Sequence, residues 1–262
     1  MENNMFREER LRMILEILSQ EKKIVVKDLA EKFSLSNSSI RLDLTELESR
    51  GLIYRTHGGA IIPNETQNDL VLNKNVLKQR EETYADEKRR IANAVIDLIN
   101  DGDSIMIDGG STNYFIAKQL NQKRGLTIIT PSTHLLPILS QINDANIFLT
   151  GGLYQPYFED LIGEISLETI GRFSPEKTIM GIDGISLKQG LTSTEPSMAV
   201  LKRKMISISR QLIIVADSTK IGKVCLIHVA GINEINTLVT DSNISEDNIK
   251  AIRDLGPKVI TA

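Results

Sequence analysis

Five short turns in the sequence combine residue types that can bind an anion. The longest is Asp108-Gly109-Gly110-Ser111-Thr112, which follows the apolar run Ser104–Ile107 and precedes a helical pattern. Glycines let the backbone approach a ligand closely, and the free N–H groups at a helix start attract negative charge. The other four turns are Pro131-Ser132, Gly151-Gly152, Asp183-Gly184 and Asp217-Ser218-Thr219-Lys220. Lys220 offers a point charge for a phosphate, and Asp108 and Asp183 can accept hydrogen bonds from hydroxyl groups.

These turns follow strands that alternate with helices from Glu87 onward. The predicted strands are Ser104–Ile107, Leu126–Thr130, Ile147–Thr150, Lys177–Ile182, Leu212–Ala216 and Leu238–Thr240. Val- and Ile-rich strands alternating with helices indicate an α/β fold with a largely parallel sheet. We also predict helices over Leu161–Phe173 and Ser197–Arg210, with Lys202-Arg203-Lys204 on a solvated face.

Ligands of open α/β sheets bind at the carboxyl ends of the strands, so the five turns should converge. Gly, Asp and Ser are also common in ordinary βα turns, and any one turn alone is more simply explained that way. The presence of all five turns in one chain favours a ligand-binding site. The predicted effector-binding residues are Asp108, Gly109, Gly110, Ser111, Thr112, Ser132, Gly151, Gly152, Asp183 and Lys220.

The first sixty residues have a different pattern, of three helices followed by a hairpin. Ser36 is placed to cap the third helix, in which Ile40, Leu44 and Leu47 share an inward face. The outward face then has the composition of a major-groove recognition helix, with Asp43, Glu46 and Glu48 to the side. The predicted DNA-binding residues are Ser36, Ser38, Ser39, Arg41, Leu42, Thr45, Arg55 and His57. The layout is typical of a winged helix-turn-helix, although a protein-interaction module can share it.

Length and composition set the domain plan and exclude several classes. The 262 residues fit about two domains, which we place at 1–62 and 75–262 with a linker at 63–74. Gly51 is expected to end the third helix.

Composition excludes several classes of protein. One cysteine and three scattered histidines give no disulfide and no metal site. There is no GxGxxG motif for a dinucleotide cofactor, and no signal peptide or membrane span, so we expect a cytoplasmic protein without cofactors. The net charge of −3 argues against nucleic acid as a binding partner. Residues 1–60, however, have no net charge, since they contain ten basic and ten acidic residues.

Characteristic motifs occur in both parts of the chain. The N-terminal part contains SNSSIRLDLTELESRGLIYRTHGGAI, and the C-terminal part contains GDSIMIDGGST, LTIITPS, IFLTGG, KTIMGIDGI and IIVADSTKIG. With these motifs, nearly the whole chain resembles the DeoR family of bacterial transcription regulators. This resemblance implies a winged helix-turn-helix followed by an α/β sensor domain related in fold to ribose-phosphate isomerases. It also implies that this domain binds a phosphorylated sugar or polyol, with Asp108–Thr112 as the main phosphate loop. Gly151-Gly152, Asp183 and Lys220 match the other motif positions.

The chain departs from the family pattern at four places. Ser39 stands where threonine is usual, Leu42 where a second arginine is usual, and Pro131 where asparagine is usual. A glutamate is common near Ser197–Met198, and the nearby Glu195 is an alternative candidate for that role. The leucine removes one cation and one option for guanine recognition, so the operator preference is expected to differ.

The main hypothesis is a non-enzymatic DNA-binding regulator, a repressor of carbohydrate genes controlled by a phosphorylated sugar. Paired half-sites on double-stranded operator DNA favour a homo-oligomer, a dimer or a tetramer. One alternative is a sugar-phosphate isomerase with an accessory N-terminal module, in which Asp108 or Asp183 would be the base. Another is a sensor whose first domain docks on a protein partner.

Overall fold

The computed structural model describes residues 7–21, 23–49, 53–56, 58–61 and 77–262. The chain divides into two compact units, Met1–Val71 and Leu72–Ala262. The predicted linker and Gly51 lie outside the described residues. None of the helices described is both long enough and apolar enough to span a bilayer.

The described part of the N-terminal unit has three helices and a small antiparallel sheet. Its elements are α1 Arg7–Glu21, β1 Lys23–Val25, α2 Val26–Phe33, α3 Asn37–Ser49, β2 Tyr54–Thr56 and β3 Gly59–Ile61. The strand order β1-β3-β2 places the predicted hairpin, β2–β3, beside a strand formed where only a break between helices was expected. The helix-turn-helix with a wing is therefore confirmed.

The spacing of apolar residues explains why these helices pack together. Leu11, Ile14 and Leu18 of α1 are at most 2% exposed, and they share one core with Ile40 and Leu44 of α3. Burying each such side chain contributes roughly 1.5–3 kcal/mol, which fixes the orientation of α3 about its own axis.

The C-terminal unit is an α/β domain. In chain order its elements are α4 (residues 77–82), α5 Ala85–Ile96, β4 Ser104–Ile107, α6 Ser111–Ala117, β5 Thr127–Thr130, α7 Leu136–Leu139, β6 Asn146–Leu149, β7 Leu153–Gln155, β8 Asp160–Ile162, α8 Glu164–Ile170, β9 Lys177–Gly181, β10 Gly184–Ser186, β11 Gly190–Ser193, α9 Pro196–Ser207, β12 Gln211–Val215, β13 Ile227–Ala230, β14 Thr237–Thr240, α10 Glu246–Asp254 and β15 Lys258–Thr261. Seven strands form a parallel sheet in the order β15-β14-β12-β9-β4-β5-β6.

Helices cover both faces of this sheet. Ile105 and Ile107 of β4 pack on one face with residues of α5 and α6, whereas Met106 packs on the other with residues of α8 and α9. All six predicted strands are present to within one residue at each end, and the largely parallel α/β sheet is confirmed. Strand order reverses between β4 and β9, the kind of point where such sheets bind ligands.

The predicted helix Leu161–Phe173 is wrong at its start. Leu161 lies in β8, which pairs antiparallel with β7, and α8 begins only at Glu164. This hairpin and the antiparallel sheet β10-β11-β13 are made of three- and four-residue strands, which pair with segments that a local pattern does not identify.

Candidate functional site

The outward face of α3 begins with a capped helix start. The Ser39 backbone N–H donates to Ser36 Oγ at 3.1 Å, and the two serine hydroxyl oxygens lie 2.9 Å apart. This bond confirms Ser36 as the predicted N-cap, and it holds the first turn of α3 in the helical conformation.

The predicted recognition residues lie on the face of α3 opposite its core residues. Ser38, Arg41 and Thr45 are exposed, Ser39 is half-buried, and Leu42 is 66% exposed although it is apolar. The Thr45 hydroxyl donates to the Arg41 carbonyl at 2.8 Å, which orients its side chain along the helix. An exposed face of this composition can contact base edges and phosphates in a major groove.

Asp43 does not lie at the side of this face as expected. It is 1% exposed, and its carboxylate forms an ion pair with the Arg10 guanidinium at 2.6 Å. The ion pair links α1 to α3 and compensates the buried negative charge of Asp43.

The two predicted contacts on the hairpin are less completely described. The backbone of Arg55 pairs with Ala60 in the β2–β3 ladder, while the description does not extend to its side chain. His57 lies outside the described residues.

A cleft of about 260 Å³ opens at the carboxyl ends of β4, β9 and β12. It is lined by the loop Gly109–Thr112 after β4, by Ile182 and Asp183 after β9, and by Ala216, Asp217 and Lys220 after β12. Three of the five predicted turns therefore meet, at the reversal of strand order. Six predicted effector residues line the cleft: Gly109, Gly110, Ser111, Thr112, Asp183 and Lys220.

The loop after β4 depends on its two glycines. Gly110 has φ of +109°, a conformation that other residues adopt rarely. A Cβ atom on Gly109 would lie 2.4 Å from the Asp160 carboxylate, so no side chain fits there. The loop can thus present backbone N–H groups to the cleft just before α6 begins at Ser111.

Asp108 lies behind this loop and not among the residues that line the cleft. It is 1% exposed, forms an ion pair with Lys202, and accepts a hydrogen bond from the Gly181 N–H at 3.0 Å. Asn113 Nδ2 donates to the Asp108 carbonyl at 3.1 Å. These bonds tie the ends of β4 and β9 and the start of α6 together.

Lys202 was expected on a solvated helix face, and this expectation is wrong. Its side chain is buried, lines the cleft, and donates to Asp108 and to the Gly181 carbonyl. Burial lowers the pKa of Lys202, but the Asp108 carboxylate more than offsets it, so the pKa is raised and the ammonium stays charged.

Asp183 faces the cleft as an ionised acceptor. Burial alone would raise its pKa, but the Thr194 backbone N–H at 3.0 Å, the charge of Lys202 and the Ser193 hydroxyl at 2.9 Å hold the pKa below its ordinary value. A carboxylate in this setting can accept hydrogen bonds from ligand hydroxyl groups.

Further basic side chains line the same cleft: Arg80, Lys88, Lys220 and Lys223. Lys220 Nζ lies 3.9 Å from the Asp217 carboxylate, with a third of its side chain exposed. Lys88 is buried, and its Nζ donates to the carbonyls of Arg80 and Thr83, the latter at 2.5 Å. Burial lowers the pKa of Lys88 to about 8, so the ammonium is mostly charged at neutral pH. The cleft therefore suits an anion.

Nine lining residues with polar side chains were not among the predicted effector residues: Arg80, Thr83, Tyr84, Lys88, Asn113, Thr194, Lys202, Asp217 and Lys223. A signal existed for Lys88, which precedes the buried Ile91 and Val95 by three and seven residues on one helix face. Arg80, Thr83 and Tyr84 belong to a polar stretch that does not follow a predicted strand, so the search for turns at strand ends could not identify them.

The remaining predicted effector residues lie elsewhere. Ser132 is buried and forms a β-bridge with Asp160. Gly151 and Gly152 follow β6 and lie beside residues of α8, and neither lines the cleft. In the part of the chain that the structure describes, no three His, Cys, Asp or Glu side chains gather as metal ligands would.

Comparison with solved structures gives matches whose TM-scores are below 0.5. Ribose 5-phosphate isomerase A from Neisseria gonorrhoeae has a TM-score of 0.38 and 17% identity, covering 51% of this chain and 52% of its own. A translation initiation factor eIF-2B from Pyrococcus horikoshii OT3 has a TM-score of 0.42 and 14% identity, covering 88% and 85%.

Curated relatives match over almost the full length. The transcriptional repressor GlcR of Bacillus subtilis is 34% identical over 90% of this chain and 89% of its own. The repressor AccR of Agrobacterium fabrum is 32% identical over 90% of each chain. The glycerol-3-phosphate regulon repressor of Escherichia coli is 31% identical over 87% and 88%. These proteins are regulators and not enzymes, which confirms the non-enzymatic prediction.

Two family models cover the two units. A DeoR-like helix-turn-helix domain matches residues 10–66, and the DeoR C-terminal sensor domain matches residues 83–242. With the recognition face of α3 and the cleft of the α/β domain, these matches show that the chain belongs to the DeoR family of DNA-binding transcriptional regulators.

Proposed function

We propose that the protein represses genes for the use of a carbohydrate, and that a phosphorylated sugar or polyol bound in the cleft controls it. The observation that carries this proposal is the cleft itself, in which a glycine loop, an ionised aspartate and several cations converge. The name of the Escherichia coli relative, a glycerol-3-phosphate regulon repressor, supports a phosphorylated ligand.

The ligand's two ends suit two sides of the cleft. The N–H groups of Gly109–Thr112, with Lys220 and Lys88, would bind the phosphate, because several donors and positive charge surround that position. Asp183 would accept bonds from the hydroxyl groups, since its carboxylate is ionised. We assign Asp108, Ser132, Gly151 and Gly152 to the support of the loops and not to ligand contact.

The DNA partner would be a double-stranded operator. Arg41 is the candidate for guanine, Leu42 for a thymine methyl group, and Ser36, Ser38, Ser39, Thr45, Arg55 and His57 for bases or phosphates. Half-sites about 34–36 Å apart require two copies, so we propose a homo-oligomer, a dimer or tetramer, that works in the cytoplasm. A ligand would change DNA affinity by roughly 5–150-fold.

A mobility-shift experiment on the gene's own promoter region tests the DNA side. The wild-type chain should retard this DNA in preference to a scrambled duplex. Arg41→Ala should weaken specific binding by at least about fivefold, since one bidentate guanine contact is worth about 1–3 kcal/mol. Lys27→Ala removes an exposed cation from α2 and should leave specificity unchanged. Equal losses in both variants would contradict recognition by α3.

A panel of sugar phosphates tests the cleft in the same assay. One phosphorylated compound should change the retardation, whereas its unphosphorylated form should not. Lys220→Met should raise the concentration needed, because a phosphate loses one counter-charge. If no member of the panel binds to the wild-type protein or alters its binding to DNA, the proposed effector class is wrong.

A further inference from the structure

His134 lies between two carboxylates that come from different parts of the C-terminal unit. Its Nε2 is 2.7 Å from Glu81 Oε1, and its Nδ1 is 3.0 Å from Glu159 Oε2. The three side chains are 13–19% exposed. Carboxylates only accept, so both contacts form when both ring nitrogens carry a proton.

One half of this cluster is held by contacts between the segment after β5, the residue before β8 and α6. Thr133 donates through its backbone N–H at 2.8 Å and through its hydroxyl at 2.7 Å to the Glu159 carbonyl. The His134 ring also stacks on Tyr114 of α6, with ring centroids 5.3 Å apart. His134 and Glu159 therefore keep one position relative to the loop that precedes α6.

The other half, Glu81, belongs to residues 77–84, the segment that supplies Arg80, Thr83 and Tyr84 to the cleft. Among the described residues, few other groups hold this segment. Leu77 is buried, and Lys88 donates to two of the segment's carbonyls. The Arg80 guanidinium donates to the Tyr157 hydroxyl at 3.4 Å and lies 5.5 Å from the centre of that ring. Thr83 and Tyr84 are exposed.

We propose that His134 is a positioning residue for ligand binding: by joining Glu81 to Glu159 it holds residues 77–84 where Arg80 completes the cleft. This inference rests on the proposed function of the cleft. None of the three residues of this cluster lines the cleft, so they act through Arg80 and not through contact with the ligand. Without the link, the segment must be ordered when the ligand binds, and that cost reduces affinity.

The test compares Glu81→Ala with Glu82→Ala in the full-length protein. Glu82 is the exposed neighbour of Glu81, so its removal changes the net charge equally. Binding is measured by calorimetry with inorganic phosphate and with each member of the sugar-phosphate panel. Glu81→Ala and His134→Ala should each weaken binding by about tenfold, on the scale of one lost positioning interaction. Glu82→Ala should bind as the wild type does.

Two further variants separate positioning from general destabilisation. Glu81→Gln keeps an oxygen that can accept from His134 Nε2, so it should recover most of the affinity. Combining Glu81→Ala with Arg80→Ala should weaken binding no more than Arg80→Ala alone, because the two changes remove one effect. Additive losses, or equal losses in Glu81→Ala and Glu82→Ala, would overturn the positioning role while leaving the proposed function intact. If the wild type binds no phosphate compound, both proposals fail.

Discussion

At the scale of single residues, Asp160 has the most unusual environment near the cleft. Its carboxylate is 1% exposed and lies against Gly109 of the glycine loop. Burial, with a smaller contribution from the charge of Asp108, raises the pKa of Asp160 from 3.8 to about 7. The folded protein therefore retains a proton here that the unfolded chain releases near pH 4.

This difference predicts how stability depends on pH. Because the folded state binds the extra proton, the contribution of Asp160 to stability falls as pH rises from about 4 to about 7 and is constant above that range. Asp160→Asn cannot ionise, so it should become more stable than the wild type across this window. Three pKa units correspond to about 4 kcal/mol at most. Urea unfolding at several pH values measures the difference.

The matched control is Asp144→Asn, which removes a carboxylate from an exposed position. The stability difference between this variant and the wild type should change little with pH. A wild-type protein whose stability rises relative to Asp160→Asn between pH 4 and 7 would show that Asp160 is ionised and compensated in the folded state.

Buried lysines mark the limit of prediction from sequence at this scale. Lys202 is surrounded on its helix by the buried Met198, Leu201 and Met205, yet two basic neighbours gave the segment the composition of a solvated face. Its partner, Asp108, is 94 residues away, so the compensating charge could not be identified from local sequence. In contrast, the glycine motif directly identified Gly109, a position where the backbone lies so close to Asp160 that no side chain fits.

At the scale of elements, the cap of α3 connects stability with DNA recognition. Ser36→Ala removes the acceptor for the Ser39 N–H and should destabilise α3 by about 1 kcal/mol. Ser36→Asn keeps a capping oxygen and should cost only a few tenths of that. Amide hydrogen exchange across α3 in the full-length protein measures both. If Ser36→Asn exchanged as fast as Ser36→Ala, capping would not be what Ser36 contributes.

Long elements were predictable where one periodicity dominated them. Five of the six predicted strands are interior strands of the sheet, and their apolar residues alternate between two helical layers, whereas β6 is an edge strand. The short strands of the small sheets, such as β1 and β8, exist because a partner segment lies beside them. Only three of the five predicted turns form the cleft, because strand order also depends on the whole sheet. The other two turns follow β5 and β6, which lie on the far side of β4 from β9.

At the scale of the whole molecule, charge limits how the protein can bind DNA. The net charge is −3, and residues 1–60 contain ten basic and ten acidic residues. One of those basic residues, Arg10, is paired internally with Asp43. Backbone contacts need cations, so we expect modest non-specific affinity and a dependence on sequence-specific contacts made by paired recognition helices.

The exposed Leu42 gives this balance a direct test. Leu42→Arg adds one cation to the outward face of each α3, and an added phosphate contact steepens the plot of log affinity against log salt by about 0.9. In the proposed dimer, two recognition helices should therefore change the slope by about 1.8, since each adds one contact. A phosphate contact raises the affinity for scrambled DNA and for the operator alike, whereas the operator also loses the proposed contact of Leu42 with a thymine methyl group, so the affinity for scrambled DNA should rise more. Both slopes can be measured by fluorescence anisotropy over a roughly fourfold range of salt concentration, from about 50 to about 200 mM.

The control variant is Leu226→Arg, which adds the same charge at a residue that is 79% exposed in the C-terminal unit. This variant should leave the slopes unchanged. Equal steepening in both variants would mean that net charge, and not the face of α3, sets the affinity for DNA.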